Sequence, residues 1–243
     1  MVKAITDSGF LRAVATAPRC TADQIATGDV VLLAPHPDDE TLGCGQLIAA
    51  LTSLGRNVHV VAVTDGAASH RNSRLFPASK LADVRANELQ KAIDILSGGT
   101  APPPVHLNYP DLAAPDDSQS RECAAQRISA LITPKTSTLL YTWEGDPHPD
   151  HQRVARIAEL LRSQHPRIHL WAYPVWGRFE APVSEGRVVA FDDPKLHALK
   201  ARAVAAHRSQ MTDLISDDPD GFVMPPELQR HFIYAPEFYI HAG

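Results

Sequence analysis

Val30-Val31-Leu32-Leu33-Ala34-Pro35-His36-Pro37-Asp38-Asp39-Glu40 is the stretch of sequence that decides the fold. Residues 30–34 are continuously apolar, which is typical of a strand covered on both faces of a parallel sheet. Residues 42–54 then show the apolar spacing of a helix. The turn between them carries an imidazole and three carboxyl groups. The stretch therefore predicts a strand, a polar turn and a helix, with a metal site and a built-in base at the carboxyl end of the strand.

The alternation of strands and helices continues along the chain. Runs of β-branched, leucine and aromatic residues predict further strands at 58–64, 105–109, 138–143, 169–173 and 188–191. Helical patterns lie between most of them, at 79–96, 119–132, 151–164 and 194–207. This order predicts a doubly wound, Rossmann-like α/β fold with a mostly parallel sheet. We expect residues 1–243 to form a single domain, in which 1–28 are a lead-in with little chemistry.

Composition and charge narrow the class of protein. The chain has 243 residues, is 44% hydrophobic and carries a net charge of -5, which argues against a nucleic acid partner or an anionic membrane surface. No apolar run approaches the roughly 20 residues needed to span a bilayer, and the N-terminus does not resemble a secretion signal. We therefore expect a cytoplasmic protein without a transmembrane segment. Its three cysteines are far apart and are expected to be reduced thiols.

The first polar turn suggests a division of roles among adjacent residues. His36 and Asp39 are three positions apart in a turn that enters a helix, so both side chains can point at one metal ion. Asp38 faces a different side, from which a carboxylate can reach a water molecule as a general base. The alternative is that the acids only complement the positive end of the following helix, with Asp39 or Thr41 as its cap.

A second polar turn has the same setting. His148-Pro149-Asp150-His151 follows the predicted strand 138–143 and precedes a predicted helix. The carboxyl ends of two parallel strands can lie side by side, so this turn can bring an imidazole to the metal held by His36 and Asp39. Two histidines and one carboxylate on zinc lower the pKa of a bound water towards about 7, as hydrolysis of an amide requires. Either turn alone would be read as surface or helix-capping residues, and the matching contexts favour a shared site.

These motifs resemble a known family. HPDDE after an apolar strand, with HPDH about a hundred residues later, resembles the LmbE-like, or PIG-L, zinc-dependent N-deacetylases. Supporting similarities are Asp65-Gly66 after the second strand, the pair Arg85 and Glu88, Tyr109-Pro110-Asp111 after the third strand, and Lys200, His207, Ser209 and Gln210 near the end. The resemblance covers most of the chain and implies a three-layer LmbE-like fold.

The resemblance also implies roles for individual residues. It makes His36, Asp39 and His151 the zinc ligands, Asp38 the general base, and His148 the group that stabilises the oxyanion and protonates the leaving amine. Asp150 would hold His148 in place and raise its pKa, because a nearby carboxylate favours the cationic ring.

Substrate-binding residues are less constrained. Asp111 is either a substrate-side acid or a turn residue after Pro110. The substrate-binding arginine maps to Arg71 or Arg74 in the polar loop 69–80. His207 either orients the substrate or an active-site side chain, or only suits the negative end of a helix.

The acids Glu144 and Asp146, just before the second turn, are read either as ligands of a polyol or an amine, or as turn residues.

The resulting prediction is a metal-dependent hydrolase that removes an acetyl or acyl group from the amine of an N-acetylglucosamine-type sugar or its conjugate. The implied cofactor is Zn²⁺, with Fe²⁺ as the alternative ion, and the partner is a small acylated amino sugar or glycoconjugate. Two other classes stay open: an Fe(II) enzyme with the same two histidines and one carboxylate, and a non-catalytic carbohydrate-binding protein. The sequence leaves the individual substrate and any homo-oligomer undetermined.

Overall fold

In residues 8–180 and 187–241, which the computed structural model describes, seven strands form one sheet. They are β1 (Asp29–Ala34), β2 (Val58–Thr64), β3 (Val105–Tyr109), β4 (Thr136–Thr142), β5 (His169–Tyr173), β6 (Arg187–Phe191) and β7 (Glu237–His241). Their order across the sheet is β3-β2-β1-β4-β5-β7-β6. The first five pair in parallel, whereas β7 is antiparallel to both β5 and β6. The predicted α/β fold with a mostly parallel sheet is confirmed.

The helices follow the predicted alternation, with additions at both ends of the chain. They are α1 (Gly9–Ala13), α2 (Ala22–Ile25), α3 (Asp39–Ser53), α4 (Ala78–Ser97), α5 (Ser118–Ser129), α6 (Pro149–Gln164), α7 (His197–Ala206), α8 (Arg208–Met211) and α9 (Pro226–Tyr234). The first three residues of the predicted helix 194–207 form a 3-10 turn before α7. Residues 1–7 of the predicted lead-in lie outside the described residues. Within the described ranges, no helix is both long enough and apolar enough to cross a membrane.

The sheet is the middle of three layers. Alternate residues of β1 enter opposite cores: Val30 and Leu32 pack into one cluster with residues of α3, α4, α7 and α9, while Val31 and Leu33 pack into another with residues of α1, α5 and α6. All four side chains are fully buried. Burial of each is worth about 1.5–3 kcal/mol, which explains why this segment reads as an unbroken apolar run.

Strand β1 lies at the point where the order of the sheet reverses. Leu32 pairs with Val60 of β2 on one side and with Leu140 of β4 on the other. The carboxyl ends of β1 and β4 are therefore neighbours, and the crevice outside them is where open α/β sheets bind ligands. The two polar turns predicted from the sequence follow these two strands.

Candidate metal centre and active site

The turn after β1 is fixed by backbone contacts at both ends. Thr64 at the end of β2 donates from its backbone N–H and its hydroxyl to the Pro35 carbonyl, at 2.9 and 2.8 Å. Asp38, just before α3, has φ 156° and ψ −26°, a conformation that costs a non-glycine residue about 1–3 kcal/mol. Its backbone N–H donates to Glu40 Oε2 at 3.1 Å. The buried Glu40 thus supports the turn from the side of the helix.

His36, Asp39 and His151 converge on one point. The Oδ2 atom of Asp39 lies 3.1 Å from His36 Nδ1 and 3.3 Å from His151 Nε2, and all three side chains are buried. Burial disfavours the Asp39 carboxylate, but the charges and hydrogen bonds of His151 and His36 outweigh it and hold the pKa of Asp39 well below its usual value. The predicted trio of metal ligands is therefore brought together by the neighbouring ends of β1 and β4.

The donor atoms of this cluster suit a divalent cation. His151 Nε2 is buried and makes no well-aligned hydrogen bond, so this ligand atom points into the cluster with the Asp39 carboxylate beside it, at 3.3 Å. The ligand atoms of His36, His148 and His151 all lie within 4.8 Å of one another, and the same holds for His36, Asp111 and Asp150. Imidazole nitrogens with a carboxylate oxygen form the ligand set of catalytic zinc sites.

Asp146 holds the other nitrogen of His151. Its Oδ2 lies 2.8 Å from His151 Nδ1, and the carboxylate also accepts the backbone N–H groups of Val175, Trp176 and Gly177 at 3.0, 3.2 and 2.6 Å. Burial favours the neutral ring of His151, but Asp39 and Asp146 outweigh it and raise its pKa to about 9. A carboxylate on the far side of a ligating histidine fixes the ring and raises its basicity. From the sequence, Asp146 was expected to bind a polyol or an amine, or to be a turn residue. Neither role includes a contact with His151.

His148 lies beside the rings of His36 and His151, the two predicted histidine ligands. Its ring centroid is 4.6 Å from that of His36 and 5.2 Å from that of His151. Its Nδ1 accepts a hydrogen bond from the backbone N–H of Asp150 at 3.2 Å, so the neutral ring carries its proton on Nε2. Burial and the charges of His36 and His151 lower the pKa of His148 to about 4. The charge of Asp150 acts in the expected direction and raises the pKa of His148, but burial and the two other histidines outweigh it.

The carboxylate of Asp150 has other partners than the predicted one. It lies 3.3 Å from His36 Nε2 and accepts the backbone N–H groups of Leu112 and Ala114 at 2.8 and 3.1 Å. Arg153 Nη1 contacts its second oxygen at 3.0 Å. The backbone N–H of Asp150 therefore holds His148, and the carboxylate that was expected to do so does not. The carboxylate orients His36 and the loop after β3.

Asp38 is paired with an arginine of α4. Arg85 Nη2 lies 3.1 Å from Asp38 Oδ2, while the same guanidinium donates to the carbonyls of Pro37 and Gly66 at 2.9 and 2.8 Å. Burial raises the pKa of Asp38 to about 6, although Arg85 acts in the opposite direction. A carboxyl with a pKa near neutrality suits a general base.

The structure places the three predicted substrate-binding residues in different surroundings. Asp111 lines the cavity with its Oδ1 3.2 Å from His36 Nε2. Arg71 is exposed and is not among the cavity residues, whereas the buried Arg85 is. His207 is fully buried beneath the turn, with Nε2 3.1 Å from Thr41 Oγ1 and 3.5 Å from Glu40 Oε1. Arg71 therefore lies outside the cavity, and His207 supports the start of α3 without lining the cavity.

A cavity of about 490 Å³ opens above the cluster. Its polar end contains His36, Asp38, Asp39, Arg85, Asp111 and His148, and its other lining residues are Ala68, Ser69, Leu112, Pro147, Pro149, Trp176, Gln210 and Phe222. The volume falls within the range of about 300–1,000 Å³ that is typical of small-molecule sites. The geometry therefore brings the predicted metal ligands, the predicted base and a hydrogen-bond donor together at a ligand-sized cavity.

Comparison with known proteins identifies related sequences and folds. The family model described as PIG-L: GlcNAc-PI de-N-acetylase matches residues 31–161, which include both polar turns. A 1D-myo-inositol 2-acetamido-2-deoxy-alpha-D-glucopyranoside deacetylase of Corynebacterium urealyticum is 24% identical, over 78% of this chain and 73% of that protein. A probable N-acetyl-alpha-D-glucosaminyl L-malate deacetylase of Bacillus cereus is 25% identical, over 77% of this chain and 86% of its own length.

A solved structure shows the same fold. The N,N'-diacetylchitobiose deacetylase from Pyrococcus horikoshii superposes with a TM-score of 0.67 and 22% identity, covering 95% of this chain and 88% of that one.

Proposed function

Because the chain belongs to the PIG-L family of de-N-acetylases, we propose that it is a metal-dependent deacetylase of an N-acetylglucosamine-type sugar or its conjugate. The observation that carries the proposal is the buried convergence of His36, Asp39 and His151 beside Asp38 in the cavity. A protein that only bound carbohydrate would need neither a buried trio of ligands nor an adjacent base. The related proteins named above are deacetylases of different acetylated amino sugars.

We propose that His36, Asp39 and His151 hold the metal ion and that the ion is zinc. Two imidazole nitrogens and one carboxylate oxygen with open positions are the ligand set of several catalytic zinc sites. The Nε2 of His151, which makes no well-aligned hydrogen bond, and the carboxylate behind that ring both fit such an ion. When bound, the ion supplies Lewis-acid chemistry, which activates water and polarises a carbonyl. Fe²⁺ is the alternative that elemental analysis would detect.

The protein groups have distinct roles in the proposed hydrolysis. Asp38 accepts a proton from the attacking water, and its pairing with Arg85 keeps the carboxylate oriented towards the cavity. The Nε2–H of His148 donates a hydrogen bond to the amide oxygen as negative charge develops there. The C–N bond then breaks, the proton taken by Asp38 ends on the amine nitrogen, and acetate leaves. The family resemblance also predicts that His148 protonates the leaving amine. That step requires a cationic His148 ring and stays a prediction.

Two substitutions separate the metal site from the base. Asp38→Asn should retain bound metal but lose about 10²–10⁴-fold in kcat, because general-base catalysis contributes that much. His36→Ala should lose the metal first. The measurement is amine release from N-acetylglucosamine conjugates together with elemental analysis of the purified protein.

The matched control is Asp83→Asn, the same change at an exposed position of α4, which should behave as wild type. Wild-type turnover in Asp38→Asn would remove the assignment of the base. Oxygen consumption with a 2-oxo acid, without amine release, would instead point to an Fe(II) oxygenase.

A further inference from the structure

Part of the wall of the cavity is apolar. Leu112, Trp176 and Phe222, which we call the apolar rim, line it together with two prolines. Leu112 and Phe222 are 40% and 38% exposed, so large apolar side chains face solvent at the mouth of the cavity. Contiguous exposed apolar groups at a cleft are typical of ligand-binding surfaces.

Leu112 is held in a strained conformation. Its φ is 69°, in the left-handed region that non-glycine residues seldom adopt. Asp150 accepts its backbone N–H at 2.8 Å, and Arg153 Nη1 donates to its carbonyl at 2.7 Å. The same Asp150 carboxylate contacts His36. The strain disfavours the folded state, and the exposed part of the side chain gains nothing from burial in return. The contacts that impose the strain tie the backbone of Leu112 to the predicted metal ligands.

Phe222 is positioned by a second loop. Its backbone N–H donates to the Ser69 carbonyl at 2.8 Å, and its ring packs edge-on against Trp176 with a centroid separation of 5.8 Å.

Two acids join the loop before Phe222 to the loop after β2. Asp217 accepts the Ser73 hydroxyl at 2.7 Å and the Arg74 N–H at 2.7 Å, and Asp218 accepts the Asn72 N–H at 2.9 Å. The apolar rim is therefore pre-organised, which reduces the entropy lost when a ligand binds.

The lining of the cavity offers little attraction to an anionic group on the substrate. Among the cavity residues in the described part of the chain, Arg85 is the only lysine or arginine. Its guanidinium is engaged by Asp38 and by the carbonyls of Pro37 and Gly66. Asp111 adds a carboxylate to the lining. A phosphate or carboxylate on the substrate would therefore find no unpaired lysine or arginine among these lining residues.

We propose that the apolar rim binds an uncharged aryl or alkyl aglycone attached to the acetylated amino sugar. The preferred substrates are then apolar glycosides and not the free sugar or its anionic conjugates. This inference rests on the proposed deacetylase function, since it orients the acetamido group towards Asp38 and His148 and the aglycone towards Trp176 and Phe222.

The test compares three β-glycosides of N-acetylglucosamine on the zinc-loaded enzyme: methyl, phenyl and carboxymethyl. We expect kcat/KM for amine release to be about 10- to 100-fold higher for the phenyl than for the methyl glycoside, as burial of one aromatic ring allows. The carboxymethyl glycoside should not exceed the methyl glycoside. Equal values for phenyl and methyl, or a preference for carboxymethyl, would overturn the inference.

Substitutions then locate the effect on the rim. Phe222→Ala should lower the ratio of phenyl to methyl kcat/KM by about tenfold. Leu75→Ala removes a more exposed apolar side chain, 59% accessible, from the loop after β2, and should leave the ratio unchanged. An unchanged ratio in Phe222→Ala, with a circular dichroism spectrum like that of wild type, would contradict the proposal.

Failure of the proposed function can be told apart from failure of this inference. If no glycoside releases amine, the deacetylase proposal fails. Calorimetry of phenyl and methyl glycoside binding to zinc-loaded Asp38→Asn protein then tests separately whether the apolar rim binds the aglycone. Tighter binding of the phenyl glycoside, lost in the Phe222→Ala double variant, supports the inference, and equal affinities refute it.

Discussion

Replacement of Asp146 by asparagine should weaken metal binding without removing a ligand. The Asp146 carboxylate holds His151 Nδ1 at 2.8 Å and three backbone N–H groups. An asparagine can keep its oxygen where Oδ2 accepts His151, Val175 and Trp176, but the ring then loses its anionic partner. Loss of such a contact costs about 10–100-fold in metal affinity, which equals about 1.4–2.7 kcal/mol.

The same substitution should also destabilise the fold. With the oxygen in that position, the asparagine Nδ2 faces the Gly177 N–H, which now approaches the carboxylate at 2.6 Å. A buried donor left without an acceptor costs about 1–3 kcal/mol, or about 2–12 °C in Tm for a domain of this size. A Cβ at position 177 would come within 2.5 Å of Asp146 Oδ1, so a glycine is needed there.

The assay is a zinc titration against a chromogenic chelator, with a thermal melt of the metal-free protein. The control is Glu144→Gln, which neutralises the other acid of the same loop at an exposed position and should change neither quantity. A zinc affinity within about twofold of wild type in Asp146→Asn would refute the role of this carboxylate.

Three further predictions concern stability and metal dependence. Lys200→Met should lower the free energy of unfolding by about 3–5 kcal/mol, or the Tm by about 6–20 °C, because the buried Glu237 carboxylate loses its charge partner at 2.7 Å. The control is Lys195→Met at an exposed position, and an equal Tm in both variants would contradict the reasoning. Leu112→Gly should change the free energy of unfolding by less than about 1 kcal/mol, because relief of the left-handed strain offsets the entropy of glycine. The preference for the phenyl glycoside should fall in the same variant. A larger loss of stability in urea unfolding would show that the leucine is structural. Removal of metal by chelation should lower Tm, and zinc should restore it, because the ion binds only the folded cluster; a Tm independent of zinc would argue against the site.

The sequence predicted the fold and the centre of the site because both depend on local patterns. The apolar run 30–34 and the strand before His148 predict neighbouring parallel strands, and their carboxyl ends bring His36 and His151 together, with ring centroids 5.5 Å apart. The closing strand β7 and helix α9 were not predicted, since β7 is antiparallel and its pairing with β5 and β6 is not encoded in its own residues.

The surroundings of the ligands could not be predicted in the same way. The role of Asp146 depends on the loop after β5, whose backbone N–H groups at 175–177 fold back onto the carboxylate. Arg85 enters the cavity from about two turns inside α4, whereas the exposed Arg71 lies nearer in sequence to the strand end. Sequence distance from a motif is a poor guide when a long side chain crosses between layers. The pair Arg85 and Glu88 within the predicted helix 79–96 was the sequence signal that could have identified the cavity arginine.

The most direct test of the account is the rate of amine release as metal-free protein is titrated with zinc, using the phenyl glycoside of N-acetylglucosamine as substrate. We predict that the rate rises linearly and saturates near one zinc per chain, and that Asp38→Asn binds the same amount of zinc with little activity. A rate that does not depend on zinc, or an Asp38→Asn variant as fast as wild type, would contradict the proposal that His36, Asp39 and His151 hold a catalytic metal beside Asp38.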